Sequence, residues 1–246
     1  MEAKRLKPDL GSIQEKVVGK RFDHALTDLA EVLAADPLNP DALYMSAVCK
    51  RYQRDFDTAL EFVSRLKAIA PENGRAHQEE GHTYRDMGRH DEALRAYSRA
   101  CRFNPALEAS WRGQVGILAR KGRPEQAAQA RAQLEALKSL PRPLLAVFDL
   151  IAQGKLLKAE DICRQFLKKV PHHVEGMRLL ADIGGRLGVL DDAEFLLESA
   201  LKFEPDNVRV RIDYINALRK RQKFEAALAP VSYTHLTLPT ITSGWR

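Results

Sequence analysis

The sequence predicts an all-α solenoid, built from helix pairs that repeat along the chain. Three observations carry that prediction. An alanine recurs at Ala25, Ala59, Ala93, Ala127, Ala159, Ala193 and Ala227, with spacings of 34, 34, 34, 32, 34 and 34 residues. Twelve residues after it stands a proline, at Pro37, Pro71, Pro105, Pro171 and Pro205. Five residues before it stands Gly88, Gly122, Gly154 or Gly188, with Lys20, Arg54 and Gln222 in the other copies.

Each column has a physical reason. Glycine tolerates the left-handed conformation that closes a helix, so its column marks the turn between two helices. The alanine lies in the second helix, where its single methyl lets two helices approach closely. Four residues on lie Leu29, Val63, Tyr97, Cys163 and Leu197, and seven on lie Val32, Leu66, Ala100, Leu134, Phe166 and Ala200. That spacing is one apolar helix face; Arg131 is the exception in the first set. Proline cannot continue a helix, so its column ends each pair. The repeats fall near 6–39, 40–73, 74–107, 108–139, 140–173, 174–207 and 208–230.

The departures are local. Asp9 and Ser12 weaken the first helix. Repeat four lacks two residues, Ser139 replaces its proline, and Pro141 and Pro143 follow. SLPRP cannot be helical throughout, which predicts a kink or shifted packing at residues 138–145.

Composition narrows the function classes. The formal charge is +6, from 39 Lys and Arg against 33 Asp and Glu. The basic residues are interleaved with acids and the aromatics are few, which argues against nucleic-acid binding. The N-terminus has charges but no apolar stretch, and no eighteen-residue apolar run exists, so neither a secretory signal nor a membrane span is expected. Cys49, Cys101 and Cys163 are odd in number and widely spaced, which points to a reducing compartment, the cytoplasm by default. No phosphate loop, dinucleotide fingerprint, H-E-x-x-H or C-x-x-C occurs, so no cofactor, metal or catalytic residue is assigned. His172 and His173 are adjacent, so their side chains diverge and read as a solvated loop. The cysteines read as small buried hydrophobes.

The pattern resembles the tetratricopeptide repeat, a helix–turn–helix unit of about 34 residues. The third copy matches the family at Gly81, Tyr84, Gly88, Ala93, Tyr97, Ala100 and Pro105, and the fourth carries its tryptophan, Trp111. The resemblance covers residues 6 to about 230. It implies a right-handed superhelix of about seven repeats, the last incomplete, with the first helix of each pair lining a concave side. It also implies a protein-interaction scaffold rather than an enzyme, because stacked repeats share one core and present an extended surface.

In that family the inward positions lie fifteen, eleven, eight and seven residues before the alanine. Here they read Tyr44, Gln78, Arg112 and Arg178; His82, Phe148, Asp182 and Asn216; Arg51, Arg85 and Arg219; and Tyr52, Asp86, Arg120, Arg186 and Lys220. Leu144 and Ile151 add an apolar stretch beside Phe148 in repeat five. Arginines with neighbouring tyrosines suit an extended acidic peptide, since the guanidinium fork binds carboxylate bidentately and the aromatic ring supplies rigid contact area. The competing reading is a set of solvated helix faces. The family's carboxylate clamp of lysines and asparagines is matched only in type, by Asn216. A second expectation belongs to another class. The segment from Gly185 to Ala229 is similar to the repeats preceding the catalytic domain of bacterial tetratricopeptide-repeat sulfotransferases. That resemblance implies an amino-terminal array whose catalytic domain lies outside this sequence.

The last sixteen residues, 231–246, change character. They hold Thr234, Thr237, Thr240 and Thr242 and no acid, whereas residues 1–230 hold only Thr27, Thr58 and Thr83. Pro230 falls inside the expected second helix of repeat seven. VSYTHLTLPT resembles a translated sequencing adapter at all ten positions. The array is therefore expected to occupy 1–230, and 231–246 to be a non-native or disordered tail.

Overall fold

The computed structural model describes residues 9–222, which form thirteen helices and no strand. The first helices of the pairs are α1 (Leu10–Val18), α3 (Pro40–Tyr52), α5 (Gly74–Asp86), α7 (Glu108–Arg120), α9 (Arg142–Ala152), α11 (Val174–Leu187) and α13 (Val208–Lys220). The second helices are α2 (Phe22–Ala35), α4 (Phe56–Ile69), α6 (His90–Phe103), α8 (Pro124–Lys138), α10 (Leu156–Lys169) and α12 (Leu190–Phe203). The array is an all-α tetratricopeptide-type solenoid. Ala227 and the tail at 231–246 lie outside the described residues.

The turn column behaves as its chemistry dictates. Gly88, Gly122, Gly154 and Gly188 have φ of 78°, 67°, 71° and 85°, and Lys20, Arg54 and Gln222 adopt the same left-handed region at 58°, 63° and 60°. The proline column acts one residue upstream. Asp36, Ala70, Asn104, Val170 and Glu204 each close their helix at φ between −139° and −132°. The ring of the following proline forbids helical backbone at that place. Where Ser139 replaces proline, α8 runs to fifteen residues and Ser139 stays near helical at φ −75°, ψ −15°.

Side-chain caps start five of the seven first helices, all but α7 and α9. Asn39, Asn73 and Asn207 accept the backbone N–H groups of Ala42, Ala76 and Val210 at 3.0, 3.1 and 3.2 Å. Such a cap is worth about 1 kcal/mol. Asp9 does the same for Ser12 at 3.3 Å, so the weak first helix is present but only nine residues long. His173 also caps, its Nδ1 accepting from Gly176 N at 3.2 Å, while His172 lies against the Phe203 ring at 4.6 Å. His173 is therefore built into the repeat junction, while His172 stands exposed in the turn before it.

The described chain divides between Leu140 and Pro141 into two compact units, one carrying α1–α8 and the other α9–α13. In both, the alanine column sits at the helix–helix contact: Ala25, Ala59, Ala93, Ala127, Ala159 and Ala193 are 0–4 % exposed. Around it pack Ile13, Leu29, Leu66, Tyr97 and Ile117 in unit one, and Leu144, Val147, Leu179, Ile183 and Leu197 in unit two. Each fully buried aliphatic side chain contributes about 1.5–3 kcal/mol against leaving it in water. Leu144 and Ile151 belong to this core and not to a groove, which corrects the fixed-offset reading. After the two-residue deletion α9 starts at Arg142, and Leu144, Val147 and Ile151 at i, i+3 and i+7 become its inward stripe.

Candidate functional site

The candidate residues lie on first helices, and the two units are taken separately. In unit one, Arg51 on α3 reaches across to α5. Its Nε donates to Glu79 Oε1 at 2.5 Å and its Nη1 to Asp86 Oδ2 at 3.0 Å. Arg51 is 8 % exposed and Glu79 2 %. Burial opposes the guanidinium charge, but Glu79 and Asp86 outweigh it and hold Arg51 above the usual arginine range. Burial pushes the Glu79 carboxyl up, against the pull of Arg51. This arginine is consumed internally and is not available to grip a ligand. Tyr52 stacks on Phe22 at 5.1 Å with the Arg51 guanidinium 4.4 Å from its ring centre, and Tyr44 packs into the core beside Leu43.

On α5, Gln78 accepts from Ser110 Oγ of α7 at 3.0 Å. Arg85 donates twice to Asp86, at 3.0 and 2.8 Å. His82 Nδ1 lies 2.7 Å from the Tyr97 hydroxyl. Burial first, then the Arg51 and Arg85 charges, push His82 down to about 3, so the ring is neutral near pH 7. The Tyr97 ring runs between two glycines: a Cβ on Gly81 would stand 2.6 Å from it and one on Gly113 2.5 Å. No larger residue fits at either place without movement. On α7, Arg112 is 67 % exposed with Glu108 at 3.7 Å, and Arg120 donates to Gly116 O at 3.2 Å.

In unit two, Arg178 on α11 is again internal. It donates to Glu175 at 2.9 and 2.7 Å and to Asp213 of α13 at 2.7 Å, with the Phe148 ring centre of α9 5.8 Å away. Asp182 accepts from Arg186 Nε at 3.1 Å. Asn216, Arg219 and Lys220 on α13 meet Asp182 at a cleft of about 530 Å³ between α11, α12 and α13. Its floor is apolar, from Ala181, Ala193, Leu197 and Ala217, and its rim polar. Arg219 and Lys220 form no ion pair with another described residue. A cleft of this size with a few convergent polar groups is the usual form of a ligand site.

Sequence reasoning missed the cleft. Its signal stood in the column eight residues before the alanine, where Arg51 and Arg85 of earlier repeats give way to Gly185. The three thiols are buried, and burial pushes Cys49 and Cys163 up to about 11 and Cys101 to about 12. A thiol held there supplies almost no thiolate near neutral pH.

Residues 19–81 and 74–107 match family models described as Tetratricopeptide repeat. No curated protein matches the chain in sequence. Among solved structures, a chain of Naa15/Naa10 bound to HypK-THB is similar at 19% identity and a TM-score of 0.48, over 92% of this chain and 35% of that one. This chain thus spans about a third of that protein's length. A thermophilic tetratricopeptide repeat protein of Thermus thermophilus shows 22% identity and a TM-score of 0.46, over 85% and 96% of the two chains. MamA of Desulfovibrio magneticus shows 19% identity and a TM-score of 0.47, over 52% and 73%. No helix among the described residues is long and apolar enough to cross a membrane. The repeat models match two overlapping stretches, and the same turn column continues in phase beyond them: residues 19–107 belong to the tetratricopeptide repeat family.

Proposed function

We propose that this chain is a protein-interaction module whose first helices hold an extended acidic peptide. Repeats of this family present such surfaces to other proteins. The observation that carries the reading is the rim of the unit-two cleft. Asn216 offers an amide there, and Arg219 and Lys220 offer cations that no described acid neutralises. In unit one the exposed Arg112, beside Glu108 at 3.7 Å, and Arg120 offer further cations, whereas Arg51 there and Arg178 in unit two serve the scaffold. A carboxylate-bearing ligand gains charge-assisted hydrogen bonds at such a rim, and the attraction is screened within about 10 Å at 0.1 M salt.

The test is fluorescence anisotropy with a labelled glutamate-rich peptide. Affinity is expected to fall as NaCl rises, and Arg219→Ala with Lys220→Ala to weaken it about fivefold, since exposed pairs are worth fractions of a kcal/mol each. Affinity indifferent to both salt and the double substitution contradicts the reading.

A further inference from the structure

The unit-two cleft has a counterpart in unit one, and comparing the two shows what the cleft lacks. Between α3 and α5 the space is filled by Arg51, which stands eight residues before Ala59 and bonds to Glu79 and Asp86 one repeat on. Between α11 and α13 the same three columns carry Gly185, Asp213 and Lys220. The arginine is gone, and Asp213 is satisfied from elsewhere, by Arg178. A Cβ on Gly185 would meet only Lys220 Nζ, at 4.0 Å. Below it, Leu197 stands in the column that carries Val63 beside Arg51, so the aliphatic floor is kept and only the arginine is missing. The side chain that closes the space in unit one is therefore absent in unit two, and a cleft of about 530 Å³ remains.

We infer that this cleft selects a bulky apolar side chain, leucine or phenylalanine in size, carried by a peptide with acidic residues on either side of it. The inference rests on the acidic-peptide reading above and names the residue that gives it specificity. The floor of Ala181, Leu197 and Ala217 offers no hydrogen-bond partner, so a polar side chain entering it would lose its water without compensation. An apolar one gains by leaving water. The rim sets the flanks: Asp182 and Asp213 of the same lining are held by Arg186 and Arg178, whereas Arg219 and Lys220, which pair with no described acid, attract carboxylates and repel a basic neighbour. The ring of Phe148 and the cluster about Arg178 belong to the scaffold beside the cleft and do not enter it.

The experiment uses the full chain and labelled seven-residue peptides Glu-Glu-Glu-X-Glu-Glu-Glu, with X alanine, leucine, phenylalanine or lysine. The quantity read is the Kd for X alanine divided by that for X phenylalanine. The expected ratio is about ten or more, the yield of burying one large apolar side chain. Gly185→Leu fills the cleft without adding charge and should bring the ratio below about three. Gly185→Arg, which returns the side chain of the unit-one column although Lys220 stands in place of Asp86, should lower the ratio likewise. Gly185→Ala should keep most of the preference, and matching thermal melts of the three variants establish that they fold. A wild-type ratio below about three, or one that Gly185→Leu leaves unchanged, overturns the inference while the acidic-peptide reading stands. Failure of every peptide to bind overturns both.

Discussion

Tyr97 shows how single residues set the local fit. Its ring is held between the backbones of α5 and α7 because positions 81 and 113 carry no side chain. Gly81→Ala is expected to cost about 1–3 kcal/mol by overpacking. In a Tyr97→Leu background the same substitution should cost clearly less, as urea melts of the four proteins would show. Equal costs in both backgrounds would mean that the ring is not what the glycine accommodates. His82 beside it makes stability depend on pH. An unfolded imidazole titrates near 6.5 and the folded one at about 3. Between these values the unfolded chain takes up a proton that the folded chain refuses. The contribution is therefore whole above about pH 6.5 and declines as pH falls toward 3, by about 2 kcal/mol at pH 5. His82→Asn removes the titrating group, so the drop in stability from pH 7 to pH 5 should shrink by that amount. A drop of unchanged size would contradict the burial of a neutral ring. Gly81 and Tyr97 were legible as family columns. The fate of Arg51 was not, because a column places a residue on a face without showing that Glu79 and Asp86 stand across from it.

Among the elements, the turns were the most legible, since one backbone geometry serves seven places with four glycines and three larger residues. The larger residues are strained in the left-handed region, where an L side chain crowds the following carbonyl. Arg54→Gly should therefore stabilise by about 0.5–1 kcal/mol, and Gly88→Ala should destabilise by about 1 kcal/mol. Thermal melts that move the other way would refute this account of the turn. Pairs between successive repeats were also written in the sequence, at a constant separation. Gln53 with Asp23, Lys121 with Asp91 and Arg221 with Asp191 each join positions 30 residues apart. The ninth helix was the least legible. The deletion shortens its start while its end keeps phase, seven residues before Ala159, and a column position alone does not show burial, so Leu144 and Ile151 were assigned to a groove and lie in the core.

At the scale of the whole molecule, one supersecondary unit is repeated until neighbouring copies cover each other's apolar faces, and the chain divides where the repeat loses two residues and its proline. Phase made the fold readable, because every copy reports the same constraint. The proposed binding surface is less readable, because it consists of departures from that phase: a glycine where arginine stood, and two cations that pair with no described acid. The claim that first helices carry the ligand is tested most directly by hydrogen–deuterium exchange of the full chain with and without a glutamate-rich peptide containing phenylalanine. Added protection is predicted in α11 and α13, around Asp182, Gly185 and Asn216, with the exposed face of α10 unchanged. Protection confined to the second helices, or none at saturating peptide, would contradict the account.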